Sequence, residues 1–128
     1  MRDRVTYEYA VIRLVPKVER EEFMNVGVIL FSKRKKYLGI KYVVDEQRVS
    51  AFAKEVDVSM IQSYLEAWES ICNGSPEGGK IGELEMSLRF RWLVASRSTI
   101  IQSSKTHPGL CYDPEQVLAE LYERYIVT

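Results

Sequence analysis

The sequence predicts an α+β domain built on an antiparallel sheet. Strand-like segments are concentrated before Asp45, apolar residues recur at steps of three and four in the middle, and a capped helix closes the chain. Such segregation of strands and helices favours α+β over a parallel α/β sheet. We expect three N-terminal strands, one late strand and three to four helices. The length of 128 residues fits a single domain spanning 1–128.

The three predicted N-terminal strands are rich in aromatic and β-branched residues. They run from Tyr7 to Val15, from Phe23 to Phe31 and from Tyr37 to Val44. The basic run Lys33–Lys36 separates the second strand from the third. We interpret it as a solvated hairpin loop, where charge discourages edge-to-edge pairing. A phosphate-binding patch is the alternative.

Two helices are expected next. Asp45 is a suitable N-cap for the first helix. The second follows Asp57, and Gly74 occupies the position where a left-handed residue ends a helix. Its apolar face consists of Ile61, Tyr64, Leu65, Trp68, Ile71 and Cys72. We interpret Asn73–Gly82 as a flexible connection.

The last third of the chain is less regular. Apolar residues in the segment from Glu83 to Ala95 fit both the alternation of a strand and the spacing of a helix, and we interpret the segment as a short helix. Thr99 to Ser103 is the predicted fourth strand, and His107–Gly109 is interpreted as a turn. Asp113, with proline at N1 and glutamine at N3, begins the closing helix with a capping box. Its expected buried stripe is Val117, Leu118, Leu121, Tyr122 and Tyr125.

Composition argues against several classes of function. The 18 basic and 18 acidic residues cancel, so no global attraction to nucleic acid or to an anionic membrane is expected. The segment MRDRVTYEY has no apolar signal region, and no apolar run suits a membrane span, so we predict a cytoplasmic protein. Two distant cysteines and a single histidine do not form a zinc motif. We predict neither a metal nor a cofactor.

One polar cluster interrupts the first two strands. Strand alternation places Asn25 on the same face as Gly27 and Ile29. Both strands are apolar on both faces, so Arg13 and Asn25 should be partly buried, and each then needs a hydrogen-bond partner. Glu22 is the expected partner of Arg13. In one interpretation they form an ion pair while a helix packs into the notch at Gly27, and in the other a ligand or partner occupies the notch.

A second polar group precedes and follows the fourth strand. Arg97, Ser98 and Thr99 are rich in donors and suit a phosphate or carboxylate. Helix capping with surface charge is the alternative. His107 could act as a general base, but the sequence supplies no nucleophile beside it, and a turn residue is the simpler interpretation.

These motifs resemble a known family. The first block comprises Tyr9–Arg13, Pro16, Arg20, Glu22–Phe23, Asn25–Val28 and Phe31, and the second comprises Arg89–Leu93, Arg97–Thr99 and His107–Leu110. Together they resemble the signature of the bacterial domain of unknown function family 3037. The family has no settled activity, and its association with HipA-like kinases implies a partner protein. Pro108 replaces the threonine expected after the histidine, which weakens any role for that loop.

The resemblance also implies that Arg13, Glu22, Asn25 and Arg97 meet in space. Our leading hypothesis is a non-catalytic module that binds a protein partner or a small anionic ligand. The predicted binding residues are Arg13, Arg20, Glu22, Asn25, Arg91, Arg97, Ser98 and His107. An alternative is an enzyme that acts on a phosphate-containing substrate through Arg13, Arg97 and Glu22. A third is nucleic-acid binding through Lys33–Lys36 and nearby tyrosines, which net charge makes the least favoured.

Overall fold

The computed structural model describes residues 3–127. Its five strands are β1 (Val5–Leu14), β2 (Met24–Ser32), β3 (Tyr37–Tyr42), β4 (Ile101–Ser103) and β5 (His107–Cys111). Its α-helices are α1 (Glu46–Phe52), α2 (Val58–Asn73), α3 (Gly79–Gly82), α4 (Met86–Leu93) and α5 (Pro114–Tyr122). Short 3₁₀ turns cover Val18–Arg20 and Pro76–Gly78, and a π-helical turn covers Glu123–Val127.

The five strands form one antiparallel sheet around β1. The order is β3-β2-β1-β4, and β5 also pairs with β1, on the side opposite β2. The α+β class and the antiparallel sheet are therefore confirmed. The single late strand is a correction, because His107–Gly109 lies in β5 and not in a turn. Lys33–Lys36 does form the predicted exposed loop between β2 and β3.

β4 and β5 are two parts of one edge strand separated by a break. β4 pairs with Ile12 to Leu14 and β5 with Val5 to Tyr9, and their registers differ by one residue. Ser104 lies in the break with 6% of its surface exposed. Its amide donates to the Val11 carbonyl, and its hydroxyl accepts from the Val11 amide at 2.8 Å. A serine side chain thus replaces a missing backbone acceptor, which keeps the edge attached to β1.

A β-bulge interrupts the pairing of β1 with β2. Ile12 faces Gly27, but the next residue, Arg13, faces Asn25, so Val26 is the extra residue. On the far side of the bulge, the β2 side chains point to the face opposite to the one that regular alternation predicts. Asn25 therefore shares a face with Arg13, and the prediction that it shares one with Gly27 and Ile29 is wrong.

Each face of the sheet carries its own apolar core. The large core lies under α1, α2 and α4 and includes Ile12, Ile29, Leu65 and Phe90. The small core lies under α5 and consists of Val11, Val28, Leu30, Leu118, Leu121 and Ile126. β1 and β2 are consequently covered on both faces, as their sequences predict.

The helix ends follow the sequence signals closely. Asp45, Asp57 and Asp113 cap α1, α2 and α5 with their carboxylates, and Gly74 ends α2 with a φ of 65°. The capping box at α5 is wrong, because the Gln116 amide donates to Glu120 at 3.1 Å.

The predicted stripe of α5 is also corrected at its end. Beyond Tyr122 the helix becomes a π-helical turn, in which each hydrogen bond spans five residues instead of four. Ile126 therefore follows Leu121 into the small core, while Tyr125 is 37% exposed.

The notch at Gly27 is filled by β3. A Cβ atom at Gly27 would lie 2.8 Å from Tyr42 Cβ and 2.9 Å from the Lys41 carbonyl oxygen. The close approach of the two strands thus requires glycine, and neither a helix nor a ligand occupies this place.

We predict that Gly27→Ala lowers the free energy of unfolding by about 1–3 kcal/mol, since backbone atoms cannot move away from the added methyl group. Gly39→Ala is the matched control. The three atoms nearest to a Cβ at Gly39 all belong to the Tyr37 side chain, which can rotate, so the effect should stay below about 1 kcal/mol. Urea unfolding measures both, and equal losses would contradict the close approach.

Candidate functional site

Arg13 and Asn25 lie side by side on the small-core face. They are cross-strand neighbours immediately after the bulge. Arg13 Nε and Asn25 Oδ1 are both buried, and neither has a hydrogen-bond partner. A buried donor and a buried acceptor without partners each lose about 1–3 kcal/mol of solvation free energy. A polar group placed between them would satisfy both.

Phe23 covers the guanidinium of Arg13. The Arg13 Cζ atom lies 4.1 Å from the centroid of the Phe23 ring, which is within the range of a cation–π interaction. The expected partner Glu22 bonds instead to Arg20, through an exposed pair. The predicted Arg13–Glu22 ion pair is therefore wrong, and Glu22 leaves the charge of Arg13 available.

A cavity of about 570 Å³ opens beside these residues, and we call it the Asn25 pocket. Phe23, Asn25 and Met24 form one wall from the start of β2. The other walls are Arg48, Ala51 and Phe52 from α1, and Tyr125 and Ile126 from the π-helical turn. Three aromatic rings thus line the pocket together with one arginine and one amide. Among residues 3–127, no acidic side chain lines it.

Arg48 holds two walls of the Asn25 pocket together. Its Nη1 donates to the Ile126 carbonyl oxygen at 3.3 Å, linking α1 to the π-helical turn. An arginine carries five N–H donors, so this single bond leaves most of its donor capacity for a ligand. Arg48 and Phe52 are four residues apart on α1 and therefore share a face.

An aromatic row leads from the Asn25 pocket to β5. The Tyr125 ring stacks on Tyr9 with centroids 6.2 Å apart, and Tyr9 lies 5.2 Å from the His107 ring. Burial, followed by the hydrogen bond to Tyr125, raises the pKa of Tyr9 to about 12. Tyr9 hence stays protonated at neutral pH, and its hydroxyl oxygen lies 3.5 Å from the Tyr125 hydroxyl oxygen, where either group can donate.

The remaining predicted site residues lie elsewhere. Arg20 and Glu22 line a smaller cavity of about 200 Å³, which shares Phe52 with the Asn25 pocket. Arg91 forms two hydrogen bonds to Glu8 on the large-core side. Arg97 donates to the Trp92 carbonyl and lies 4.2 Å from the centroid of its ring.

The prediction that Arg13, Glu22, Asn25 and Arg97 meet is therefore only half right. Arg13 faces α5, whereas Arg97 lies beside large-core residues on the opposite face of the sheet. Ser98 is exposed next to Arg97 and shares its location. The structure brings together Arg13 and Asn25, and connects His107 to them through the aromatic row.

Sequence reasoning missed Arg48, Phe52 and Tyr125 as pocket residues. The spacing of Arg48 and Phe52 was the available signal, since residues four apart on a helix share a face. Tyr125 gave no such signal, because an α-helical period places it in the core.

Comparison with known families supports the resemblance. Residues 9–126 match the model of a family described as protein of unknown function (DUF3037). The chain belongs to this family. The match includes both polar blocks and all five strands in whole or in part, so the predicted membership is confirmed. No curated protein and no solved structure matches the chain.

Metal ligands, membrane-spanning helices and thiol chemistry bear on the kind of site. Within the described residues, no group of three or more histidine, cysteine, aspartate or glutamate side chains could hold a metal ion. None of the helices in that part of the chain is long and apolar enough to cross a membrane. Burial also raises the pKa of the Cys72 thiol to about 12, so this thiol is protonated at neutral pH.

We predict that Arg13→Met changes the free energy of unfolding by less than about 0.5 kcal/mol or increases it. Methionine keeps an apolar stem against Phe23 and removes a buried donor that has no partner. Urea unfolding is the measurement. A loss of more than about 2 kcal/mol would mean that Arg13 is a structural ion-pair residue.

Proposed function

We propose that this protein is a non-catalytic binding module that holds a small anionic ligand in the Asn25 pocket. The observation that carries the proposal is the pair of unpartnered buried atoms, Arg13 Nε and Asn25 Oδ1, beside a cavity. Most buried polar groups in native proteins have a hydrogen-bond partner, so each exception calls for an explanation such as a functional role or an ordered water. A bound group or an ordered water that accepts from Arg13 Nε and donates to Asn25 Oδ1 would satisfy both, whereas the anionic part of a ligand would pair with a guanidinium group.

The charge and the lining of the pocket support an anion with an aromatic or apolar body. Arg48 lines the cavity and Arg13 lies behind Phe23, which gives positive charge, and no acidic side chain among residues 3–127 lines the cavity. Guanidinium groups bind carboxylates and phosphates strongly because two N–H groups can donate in parallel. Phe23, Phe52 and Tyr125 supply apolar surface for the rest of the ligand.

The enzyme alternative loses its geometric support. It requires Arg13, Arg97 and Glu22 to act on one phosphate group. Arg13 and Arg97 lie on opposite faces of the sheet, and Glu22 pairs with Arg20. The binding module needs only the residues that do lie together.

The partner and the location of the protein stay predictions. Family resemblance suggests a bacterial origin and a HipA-like kinase as a protein partner. Nucleic-acid binding through Lys33–Lys36 receives little support, because Tyr37 packs against the small core and Tyr42 lies at the opposite end of β3 from this loop.

The test uses three anionic probes, each with an uncharged analogue: phenyl phosphate with phenol, indole-3-acetate with indole-3-acetamide, and adenosine monophosphate with adenosine. Two-dimensional NMR would follow the side-chain amide of Asn25. We expect at least one anion to shift this signal and to bind about tenfold more tightly than its analogue.

Arg48→Gln should weaken that binding by about tenfold, whereas Arg20→Gln, in the adjoining cavity, should not. Thermal unfolding would first establish that both variants are folded. An Asn25 amide that no anion shifts, or equal binding by the two variants, would contradict the proposal.

A further inference from the structure

An apolar groove lies on the other face of the sheet, away from the Asn25 pocket. We call it the α2 groove. It has a volume of about 550 Å³ and lies between α2 and β4. Met60, Tyr64 and Trp92 on its rim are 39%, 44% and 40% exposed. Large apolar side chains grouped on a surface in this way mark interaction sites more often than isolated ones do.

The α2 groove is elongated. Its α2 wall extends from Met60 to Ile71 along one face of the helix. At about 1.5 Å per residue this wall is roughly 16 Å long. About five residues of an extended chain would span the same distance.

The opposite wall is the start of an edge strand. β4 pairs only with β1, and no described strand lies on its other side. Val15 N donates to the Ile100 carbonyl at 2.7 Å, so the peptide groups of Ile101 point away from β1. Thr99 Oγ1 donates to the Ile101 carbonyl at 2.7 Å, but a carbonyl oxygen has a second lone pair. This edge can therefore accept another strand.

One charge marks the α2 groove. Arg97 is the sole charged side chain among the described residues that line it. The Trp92 carbonyl and ring hold its guanidinium in position. A fixed guanidinium next to apolar surface is complementary to a carboxylate that extends from an apolar segment.

We propose that the α2 groove binds an extended apolar peptide of a partner protein, which adds to the edge of β4 and places a carboxylate on Arg97. Strand addition supplies affinity through backbone hydrogen bonds, and side-chain pockets supply selectivity. A helix or a small apolar acid would leave the outward peptide groups of β4 unpaired. The proposal is independent of the ligand in the Asn25 pocket.

The chain contains its own reporter of this binding. Trp68 and Trp92 both line the α2 groove, and they are the 2 tryptophans of the sequence. Any change in tryptophan fluorescence on binding therefore originates in the groove. The ring–guanidinium contact of Trp92 should make the signal sensitive to a carboxylate on Arg97.

The experiment begins with random nonapeptides displayed with a free C-terminus and selected on the intact protein. Enriched peptides are synthesised and titrated by tryptophan fluorescence. We expect them to be apolar with a carboxylate at the end or near it. Replacing this carboxylate by an amide should weaken binding by about tenfold, and Arg97→Gln should remove the difference between acid and amide. Arg97→Lys should keep part of the preference.

Two helix variants separate the groove from the rest of the surface. Ala67→Glu places a negative charge in the groove and should abolish binding. Ser63→Glu adds the same charge to an exposed position of α2 outside the groove and should not. Circular dichroism melting of all variants confirms that each is folded.

Backbone N-methylation of the peptide tests strand addition itself. Methyl groups should abolish binding only at alternate positions, because every second peptide group faces β4. Several outcomes would overturn the proposal: no peptide enriched relative to selection on Ala67→Glu, no effect of the carboxylate, or tolerance of N-methylation at every position.

Discussion

The pairing of β1 with β2 through the bulge at Val26 is the constraint on which the other features depend. β1 lies inside the sheet, and it pairs with β2 on one side and with both β4 and β5 on the other. A regular ladder would place Val26 opposite Arg13. The inserted residue sends Val26 into the large core instead and turns Asn25 to the small-core face. A single extra residue thereby places an amide beside a guanidinium at the margin of the small core.

The two faces of the sheet are covered to different extents. The large core is built by three helices, and its surface opening is the α2 groove. The small core is covered by α5 and its π-helical turn, which end near the start of β2. The uncovered margin contains the aromatic row and the Asn25 pocket. Because a single helix with its π-helical turn covers this face, polar side chains can lie against the sheet at its margin.

The local signals of the sequence were reliable. Caps at Asp45, Asp57 and Asp113, and the glycine that ends α2, are determined by residues within one helical turn. The apolar period of α2 is long and regular, and most of its predicted face is buried. The two-sided apolar pattern of β1 and β2 correctly indicated cover on both faces.

The wrong predictions concern features that depend on residues distant in the sequence. The register shift at Val26 depends on which residue of β1 each β2 residue meets, and local sequence does not specify this. β5 contains proline and glycine, which signal a turn, yet an edge strand tolerates proline. Pro108 lies opposite Glu8 on that edge. The π-helical turn likewise follows from packing Ile126 into the small core, and it changed the environment of Tyr125.

Cross-strand nuclear Overhauser effects between β1 and β2 would show directly whether the bulge at Val26 exists. With the bulge in place, we expect backbone contacts of Arg13 with Asn25, and contacts of the Asn25 side-chain amide with Tyr125 or Ile126 protons. Contacts of Arg13 with Val26, and of the Asn25 amide with large-core methyl groups, would mean that β1 and β2 pair without a bulge. In that case Arg13 and Asn25 would lie on opposite faces of the sheet, and the site at the Asn25 pocket would not exist.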